Sequence, residues 1–201
     1  MIHSTLRVYV NMRQNEGKKG GFVHQDIERI LFSEDQLKCR VAELGSQISH
    51  DFEGTSLLAV CVLKGAVTFF ADLMRCVKVP VDYDFIQLSS YGNAAMSSGS
   101  LDIVKDLSSA AEGRHVLLVE DIVDSGFTLS QYSKVLQERN AASVSVAALL
   151  RKERPDQLSV NCRYVGFSCA NEFLVGYGLD YAQRYRNLPY IGVLKPQIYS
   201  S

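Results

Sequence analysis

The amino-acid sequence predicts an α/β fold in which a mostly parallel central sheet is flanked by helices. Leu57–Leu63 and residues 116–119 are continuous apolar runs, which is typical of strands buried on both faces of a parallel sheet. Amphipathic helical patterns separate such runs, and this alternation is typical of α/β proteins. Lys64, Asp124 and Lys152 stand at the carboxyl ends of predicted strands. Open α/β sheets bind their ligands at that edge.

The first predicted helix follows Ser33-Glu34-Asp35-Gln36, a sequence with the form of a capping box. The apolar residues behind it recur at helical spacing and mark one face for packing on the sheet: Leu37, Val41, Leu44 and Ile48. Lys64-Gly65 closes the strand at 57–63, and residues 66–76 then form a second helix whose aromatic and aliphatic residues face inward. From these residues alone, Lys64-Gly65 is more often a plain turn.

Residues 81–88 predict the next strand, and the small, polar segment 89–100 follows it. This segment is too long for an ordinary connection. The residues leave two readings open, a disordered insertion or a functional loop. Later strands are expected at residues 143–150, 164–167, 173–175 and 191–194.

The most informative stretch runs from Val116 to Thr128. Its apolar part predicts a strand that passes into a loop carrying Glu120, Asp121 and Asp124. Residues 129–140 have helical spacing, so Ser125 to Thr128 would lie at a helix N-terminus. The backbone N–H groups of such an end suit a phosphate monoester. Glu120 and Asp121 suit sugar hydroxyls, or a cation held through its waters. The stretch therefore predicts a site for a phosphorylated sugar.

The length and composition of the chain limit the number of domains it can form. With 201 residues, 47% of them hydrophobic, the chain is long enough for one well-buried core and short for two. We expect a single domain over residues 27–201 and a disordered tail over residues 1–26. The basic excess of the first 22 residues also leaves a presequence open.

Charge and cysteine content exclude several kinds of partner and compartment. A net charge of −1 predicts neither nucleic-acid binding nor binding to an anionic membrane. None of the apolar runs approaches the roughly 18 residues of a membrane span. The five cysteines include no CxxC pair, so we expect buried thiols in the reducing environment of the cytoplasm.

The stretch from Val116 to Thr128 resembles the phosphoribosyl-diphosphate (PRPP) signature of the type I phosphoribosyltransferases. From about Ile27 to Tyr199 the chain is similar to the hypoxanthine-guanine branch of that family. The resemblance implies that Glu120 and Asp121 hold the ribose hydroxyls and that Asp124 faces purine N7. It also implies that Ser125, Gly126, Phe127 and Thr128 wrap the 5-phosphate. Phe127 departs from the lysine or small residue typical there, which leaves its backbone N–H as the expected contact.

Further roles follow from the same resemblance. Lys64 and Gly65 would lie against the pyrophosphate, with a peptide bond before them that is often cis, and Arg186 would neutralise pyrophosphate charge. Phe173 would stack on the purine, Leu174 would meet the base edge through its backbone, and Lys152 would donate to the oxygen at C6. Asp180, grouped with the purine-binding residues, would bind a magnesium ion on the pyrophosphate, with Glu120 and Asp121 as further metal-binding carboxylates. Ser90 and Tyr91 match a flexible loop that closes over the site.

The implied activity is purine salvage. An Mg²⁺-dependent enzyme with catalytic Asp124 would transfer the phosphoribosyl group of PRPP to N9 of hypoxanthine or guanine. The products would be IMP or GMP and pyrophosphate. The implied fold adds a small hood over the base, and the implied assembly is a homodimer or homotetramer. Two alternatives stay open: a phosphoribosyltransferase for another base such as xanthine, and a nucleotide-sensing or RNA-binding regulator of the same fold.

Overall fold

The computed structural model of the protein describes residues 23–90, 101–154 and 160–200. These residues form nine strands and four helices. In chain order they are β1 (Ile27–Phe32), α1 (Glu34–Asp51), β2 (Leu57–Leu63), α2 (Val67–Cys76), β3 (Val81–Ser90), β4 (Leu101–Lys105), β5 (His115–Val123), α3 (Phe127–Glu138), β6 (Ser143–Lys152), β7 (Cys162–Cys169), β8 (Leu174–Val175), β9 (Ile191–Leu194) and α4 (Pro196–Tyr199).

The central sheet has six strands in the order β4-β3-β2-β5-β6-β7. All neighbours pair in parallel except β4, which pairs antiparallel with β3 at the edge. The predicted α/β fold with a mostly parallel sheet is confirmed. Because β2, β5 and β6 are adjacent and parallel, their carboxyl ends meet at one edge, where Lys64, Asp124 and Lys152 were expected.

Helices cover both faces of this sheet, and the alternation of side chains along β2 divides the core accordingly. Leu57, Ala59 and Cys61 pack in one apolar cluster with α1 and α2. Leu58, Val60 and Val62 pack in a second cluster with α3. All six are almost fully buried, which explains the unbroken apolar run of β2.

A second sheet of three antiparallel strands, in the order β1-β9-β8, forms a small hood with its own apolar cluster. This cluster contains Ile27, Val175, Tyr185, Leu188, Tyr190 and Leu194. The sequence did not predict β1, β4 or α4. Strand β1 was missed because only its first and last residues are buried, so its sequence lacks the alternation of apolar and polar residues that marks a strand.

The predicted first helix is confirmed as α1, with both bonds of its capping box. Gln36 N donates to Ser33 Oγ at 3.3 Å, and Ser33 N donates to Gln36 Oε1 at 2.9 Å. The bounds of β2 and β9 match the prediction, whereas α3 begins at Phe127 and β6 extends to Lys152. Strand β8 begins at Leu174, one residue later than expected.

All five cysteines are free thiols, in line with the absence of a CxxC pair. The expectation that they are buried holds for Cys61 and Cys169, whereas Cys76 and Cys162 are half-buried. It is wrong for Cys39, which lies on the exposed side of α1. Burial raises the pKa of Cys61 to about 12. Within the described ranges no helix has the length and apolarity that crossing a membrane requires.

Asp106 joins the loop after β4 to α3, and its substitution should lower stability in a pH-dependent way. It accepts bonds from Arg139 Nη1 and Tyr132 Oη, both at 2.8 Å, and a second bond from Arg139. The Arg139 guanidinium holds the pKa of Asp106 well below its usual range. A carboxyl group whose pKa is lower in the folded than in the unfolded state stabilises the folded protein at neutral pH. This contribution is lost as the pH falls from about 4.

We therefore expect Asp106→Asn to unfold at lower urea concentration than the wild type at pH 7, with the gap narrowing below about pH 4. Urea unfolding between pH 3 and pH 7 measures this. Asp102→Asn is the matched control, because Asp102 is exposed on β4 and accepts a bond from Ser89 Oγ at 3.2 Å. Equal neutral-pH stability of Asp106→Asn and the wild type would contradict the assignment.

Candidate active site

A cavity of about 340 Å³ opens at the carboxyl ends of β2 and β5. It brings together four separate parts of the chain: the end of β2 with the turn after it, Leu88 near the end of β3, the end of β5 with the start of α3, and the loop after β8. Eleven predicted site residues line it, namely Lys64, Gly65, Glu120, Asp121, Asp124, Ser125, Gly126, Phe127, Thr128, Asp180 and Arg186. This set is the whole group expected to hold the phosphorylated sugar and pyrophosphate.

Glu120 and Asp121 belong to β5 and not to a loop, so that part of the sequence interpretation is wrong. The strand continues because Glu120 still pairs with Ala148, and Ile122 with Leu150, on the neighbouring β6. Backbone N–H groups stabilise both carboxylates. Asp121 N donates to Glu120 Oε1 at 3.1 Å, and Ile122 N donates to Asp121 Oδ1 at 2.7 Å. The acidic pair is therefore fixed by a strand.

Removal from water raises the pKa of Glu120 well above its usual value, and the charge of Asp121 adds to this effect. Burial also raises the pKa of Asp121, against the opposing influence of Glu120, the Ile122 N–H and the Arg186 charge. Two adjacent carboxylates in one cavity disfavour the doubly ionised state. A ligand that brings hydroxyl donors or a cation to this pair would restore it.

The turn after β2 lies directly against this acidic pair. The peptide bond between Leu63 and Lys64 is cis, as the family resemblance implied. A Cβ atom at Gly65 would overlap Oδ2 of Asp121, and a Cβ atom at Gly178 would overlap the carbonyl oxygen of Gly65. The two glycines thus allow the turn after β2 to lie against the Asp121 carboxylate and the loop after β8 to lie against the backbone of that turn.

The other end of the cavity is the N-terminus of α3. Gly126 occupies the N-cap position in the left-handed conformation, with φ 77°, and no side chain caps the helix. Phe127 N donates to Ser125 Oγ at 3.3 Å. Uncapped helix N-termini carry partial positive charge and backbone donors, which favour a phosphate group. Residues 125–128, where a phosphate site is predicted, therefore present the backbone donors of a helix N-terminus to the cavity.

Asp124 lies between two cations at the end of β5. Its Oδ1 is 2.7 Å from Arg154 Nη1, and its Oδ2 is 3.3 Å from Lys152 Nζ. Burial disfavours the charged form of Asp124, but the bonds from Arg154 and Lys152 outweigh it, so the pKa of Asp124 lies below its ordinary value. Asp124 is therefore ionised at neutral pH.

Asp180 and Arg186 face the cavity from the loop after β8. Arg186 Nη2 is 2.8 Å from Asp180 Oδ1, and Arg186 Nη1 donates to the carbonyl oxygen of Gly178 at 2.7 Å. Gln183 N donates to Asp180 Oδ2 at 2.8 Å. In the described part of the chain no three His, Cys, Asp or Glu side chains converge on one metal position. Glu120, Asp121 and Asp180 share a cavity without forming a closed metal cage.

Three predicted purine-site residues lie outside the lining of this cavity. Lys152 is next to it through its contact with Asp124, and its Nζ also lies 3.1 Å from Asn171 Oδ1. Phe173 is partly exposed and stacks on Tyr199 with ring centroids 4.7 Å apart. Leu174 is buried at the start of β8. Of the predicted lid, Ser90 ends β3 by pairing with Leu101, and Tyr91 lies outside the described residues.

Arg154 is the neighbour of the site that sequence reasoning missed. It follows Lys152 by two residues, just beyond the end of β6. The available signal was the group of basic residues Arg151, Lys152 and Arg154 at a strand end, of which only Lys152 was assigned a role. A run of basic residues does not by itself indicate which of them contacts Asp124.

Known proteins are similar to this chain in sequence and fold. The profile of the phosphoribosyl transferase domain family matches residues 31–182. The hypoxanthine-guanine phosphoribosyltransferase of Bacillus subtilis is 47% identical over 176 residues, which cover 88% of this chain and 98% of that protein. A crystal structure of a hypoxanthine phosphoribosyltransferase from Staphylococcus aureus has a TM-score of 0.84 at 40% identity, covering 88% of this chain and 96% of that one.

A further relative is much longer than this chain. The bifunctional protein TilS/HprT of Listeria innocua is 49% identical over 178 residues. The match covers 89% of this chain and 28% of the Listeria protein, so the chain spans little more than a quarter of that relative.

Substitution of Gly65 should disturb the acidic pair. We expect Gly65→Ala to lower the free energy of unfolding by about 1–3 kcal/mol, as overpacking does, and to weaken the binding of PRPP because Asp121 must move. Gly113→Ala is the control. Gly113 has φ 69° and open space around its Cβ position, so the variant should lose about 1–2 kcal/mol and keep its PRPP affinity. Urea unfolding and titration calorimetry measure both quantities; wild-type affinity in Gly65→Ala would contradict the expectation.

Proposed function

The chain belongs to the phosphoribosyl transferase domain family, and from this premise we propose that it is a purine-salvage enzyme. It transfers the 5-phosphoribosyl group of PRPP to N9 of hypoxanthine or guanine. The C1–pyrophosphate bond breaks, the C1–N9 bond forms, and IMP or GMP is released with pyrophosphate. The observation that carries the proposal is the single cavity in which an acidic strand end, an uncapped helix N-terminus and an arginine face one another.

The two ends of this cavity fit the two ends of a ribose 5-phosphate. The phosphate would occupy the N-terminus of α3, where Ser125, Gly126, Phe127 and Thr128 offer backbone and hydroxyl donors. The ribose 2- and 3-hydroxyls would donate to Glu120 and Asp121. This assignment is supported by the raised pKa of Glu120, because a buried carboxylate pair gains most from ligand donors.

The transition state of such a transfer carries positive charge on the ribose, so carboxylates nearby stabilise it. Glu120 and Asp121 would supply that field beneath the sugar. Asp124, ionised between its cation neighbours, would accept a hydrogen bond from N7–H of the purine and take up the N7 proton as N9 attacks C1. On the leaving-group side, Lys64, Gly65 and Arg186 would bind the pyrophosphate and stabilise its charge.

The purine would bind on the side of Asp124 away from the phosphate. Lys152 would donate to the oxygen at C6, Phe173 would stack on the ring, and the backbone of Leu174 would meet the base edge. Support comes from the neighbourhood of these residues: Lys152 already contacts Asp124, and Phe173 has a partly exposed ring at the hood. Specificity for a 6-oxopurine would follow from Lys152, since an ammonium group donates and cannot accept.

Magnesium is proposed as the cofactor. When bound, it would neutralise charge on the departing pyrophosphate. Asp180 would hold it, with Glu120 and Asp121 acting through waters. The residues fit such an ion, because Mg²⁺ keeps several waters and is bound through one or two carboxylates with substrate oxygens, without a dedicated protein cage. The absence of a three-carboxylate cluster among the described residues agrees with this mode.

We also propose a homodimer or homotetramer in the cytoplasm that uses small-molecule substrates. Four large apolar side chains of α2, β3 and β4 are exposed: Val67, Tyr83, Phe85 and Val104. Exposed apolar surface on neighbouring elements favours contact with another protein surface. The five free thiols favour a reducing compartment.

The proposed function is tested by pyrophosphate release with hypoxanthine, guanine, xanthine or adenine, with PRPP and Mg²⁺ present throughout. Hypoxanthine and guanine should be turned over. Adenine should be poorer by up to ~10⁴-fold in kcat/KM, because its amino group would face the donors of Lys152. Lys152→Gln, whose amide both donates and accepts, should narrow this ratio. Comparable turnover of adenine and hypoxanthine by the wild type would refute the 6-oxopurine assignment.

Asp124→Asn tests the proposed catalytic residue. The variant keeps the size of the side chain but removes its charge, so kcat for hypoxanthine should fall ~10²–10⁴-fold. PRPP affinity should change far less, because the acidic pair and residues 125–128 remain. Product formation and titration calorimetry on one preparation separate these effects.

The control is Asp82→Asn, which removes an ion-paired carboxylate at the start of β3, the end of that strand away from the cavity. It should leave kcat unchanged. A kcat for Asp124→Asn close to that of the wild type would mean that Asp124 is a structural carboxylate.

A further inference from the structure

The two carboxylate oxygens of Asp124 have different partners. Oδ1 accepts a short, charge-assisted bond from Arg154 Nη1 at 2.7 Å. Oδ2 is 3.3 Å from Lys152 Nζ, beyond the usual range of a strong N–H···O bond. Of these two contacts, the one from Arg154 to Oδ1 is the shorter and the stronger.

Lys152 has a second acceptor that holds it away from Asp124. Its Nζ lies 3.1 Å from Asn171 Oδ1, closer than it lies to Asp124. A bound 6-oxopurine would offer Lys152 a third acceptor, the oxygen at C6. When Lys152 turns to that oxygen, it gives up its contact with Oδ2 of Asp124, and Oδ2 can then accept from purine N7–H.

Arg154 is assigned no contact with the substrate under the proposed function. Its guanidinium donates in a fixed, planar geometry, which suits the orientation of a carboxylate. We propose that Arg154 is a positioning residue: it holds Oδ1 of Asp124 so that Oδ2 points to N7 of the purine. This inference rests on the proposed function, in which Asp124 is the group that faces N7.

The role is that of the third member in a base-orienting arrangement, where one group reacts and another fixes its direction. The partner of Arg154 is 30 positions away in sequence, and the contact joins the loop after β5 to the segment after β6. Rotation of an unrestrained carboxylate about its terminal bond would move both oxygens. A misplacement of about 1 Å at a reacting group can cost ~10²-fold in rate.

A double-mutant cycle of Arg154→Gln and Asp124→Asn tests the inference. With the wild-type Asp124, Arg154→Gln should lower kcat/KM for hypoxanthine by about 10–10²-fold, while the Kd for PRPP changes less than about twofold. In the Asp124→Asn background, Arg154→Gln should have little further effect, because residues acting as one unit are not additive. Arg154→Lys keeps the charge without the fork, and its kcat/KM should lie between those of the wild type and Arg154→Gln.

Arg163→Gln is the matched control. Arg163 Nη2 lies 2.7 Å from Asp51 Oδ2, so it is also an ion-paired arginine, but it packs near Phe52 and Tyr164 away from the cavity. This variant should keep the wild-type kcat/KM. Thermal unfolding of every variant establishes that the kinetic differences belong to folded protein.

The outcomes distinguish the inference from the function on which it rests. If Asp124→Asn retains the wild-type kcat/KM, the proposed role of Asp124 fails and the role of Arg154 fails with it. If Asp124→Asn loses activity while Arg154→Gln does not, only the role of Arg154 is overturned. The same conclusion follows if Arg154→Gln has an equal effect in both backgrounds, or if it weakens PRPP binding as strongly as it lowers kcat/KM.

Discussion

The parallel pairing of β2 with β5 is the constraint on which the site depends. The ladder aligns Leu57 with His115 and Cys61 with Val119, so both strands reach the same edge of the sheet within two residues of each other. The turn after β2 then meets Asp121, whose carboxylate in this position would overlap a Cβ at Gly65. A shift of this register by one residue would exchange the buried faces of β2 and separate the turn from the acidic pair.

Acidic and basic side chains lie at different positions around the cavity, which explains why the overall composition carried little functional information. The net charge of the chain is −1. Around the cavity, however, Glu120 and Asp121 form an acidic pair, while Lys152 and Arg154 both contact Asp124 and Arg186 contacts Asp180. Opposite charges at fixed positions suit a substrate with a phosphate, hydroxyl groups and a base, even though the chain as a whole is nearly neutral.

The sequence was informative wherever burial or local hydrogen bonding dictates the residue type. The apolar run of β2 and the capping box of α1 are of this kind, and the helix start after Gly126 differed from prediction by two residues. Exposed edge elements such as β4 lack that signal, since most of its side chains are not buried. Contacts between distant positions were also unpredictable: neither the Arg154–Asp124 pair nor the stacking of Phe173 on Tyr199 has a local pattern. Which distant residues come into contact is determined by the order of the strands in the sheet, not by the residues adjacent to them in sequence.

The strand order of the hood has a consequence for biosynthesis. Strand β9 is the middle strand of that sheet, and it pairs with β1 on one side and β8 on the other. Neither β1 nor β8 can pair within this sheet until β9, residues 191–194, has been synthesised. Since chains are synthesised from the amino terminus, every strand of the six-stranded sheet exists before the hood can close. The emerging polypeptide therefore contains the cavity-lining residues of β2, β5 and α3 well before β8, which follows Phe173, can pair with β9.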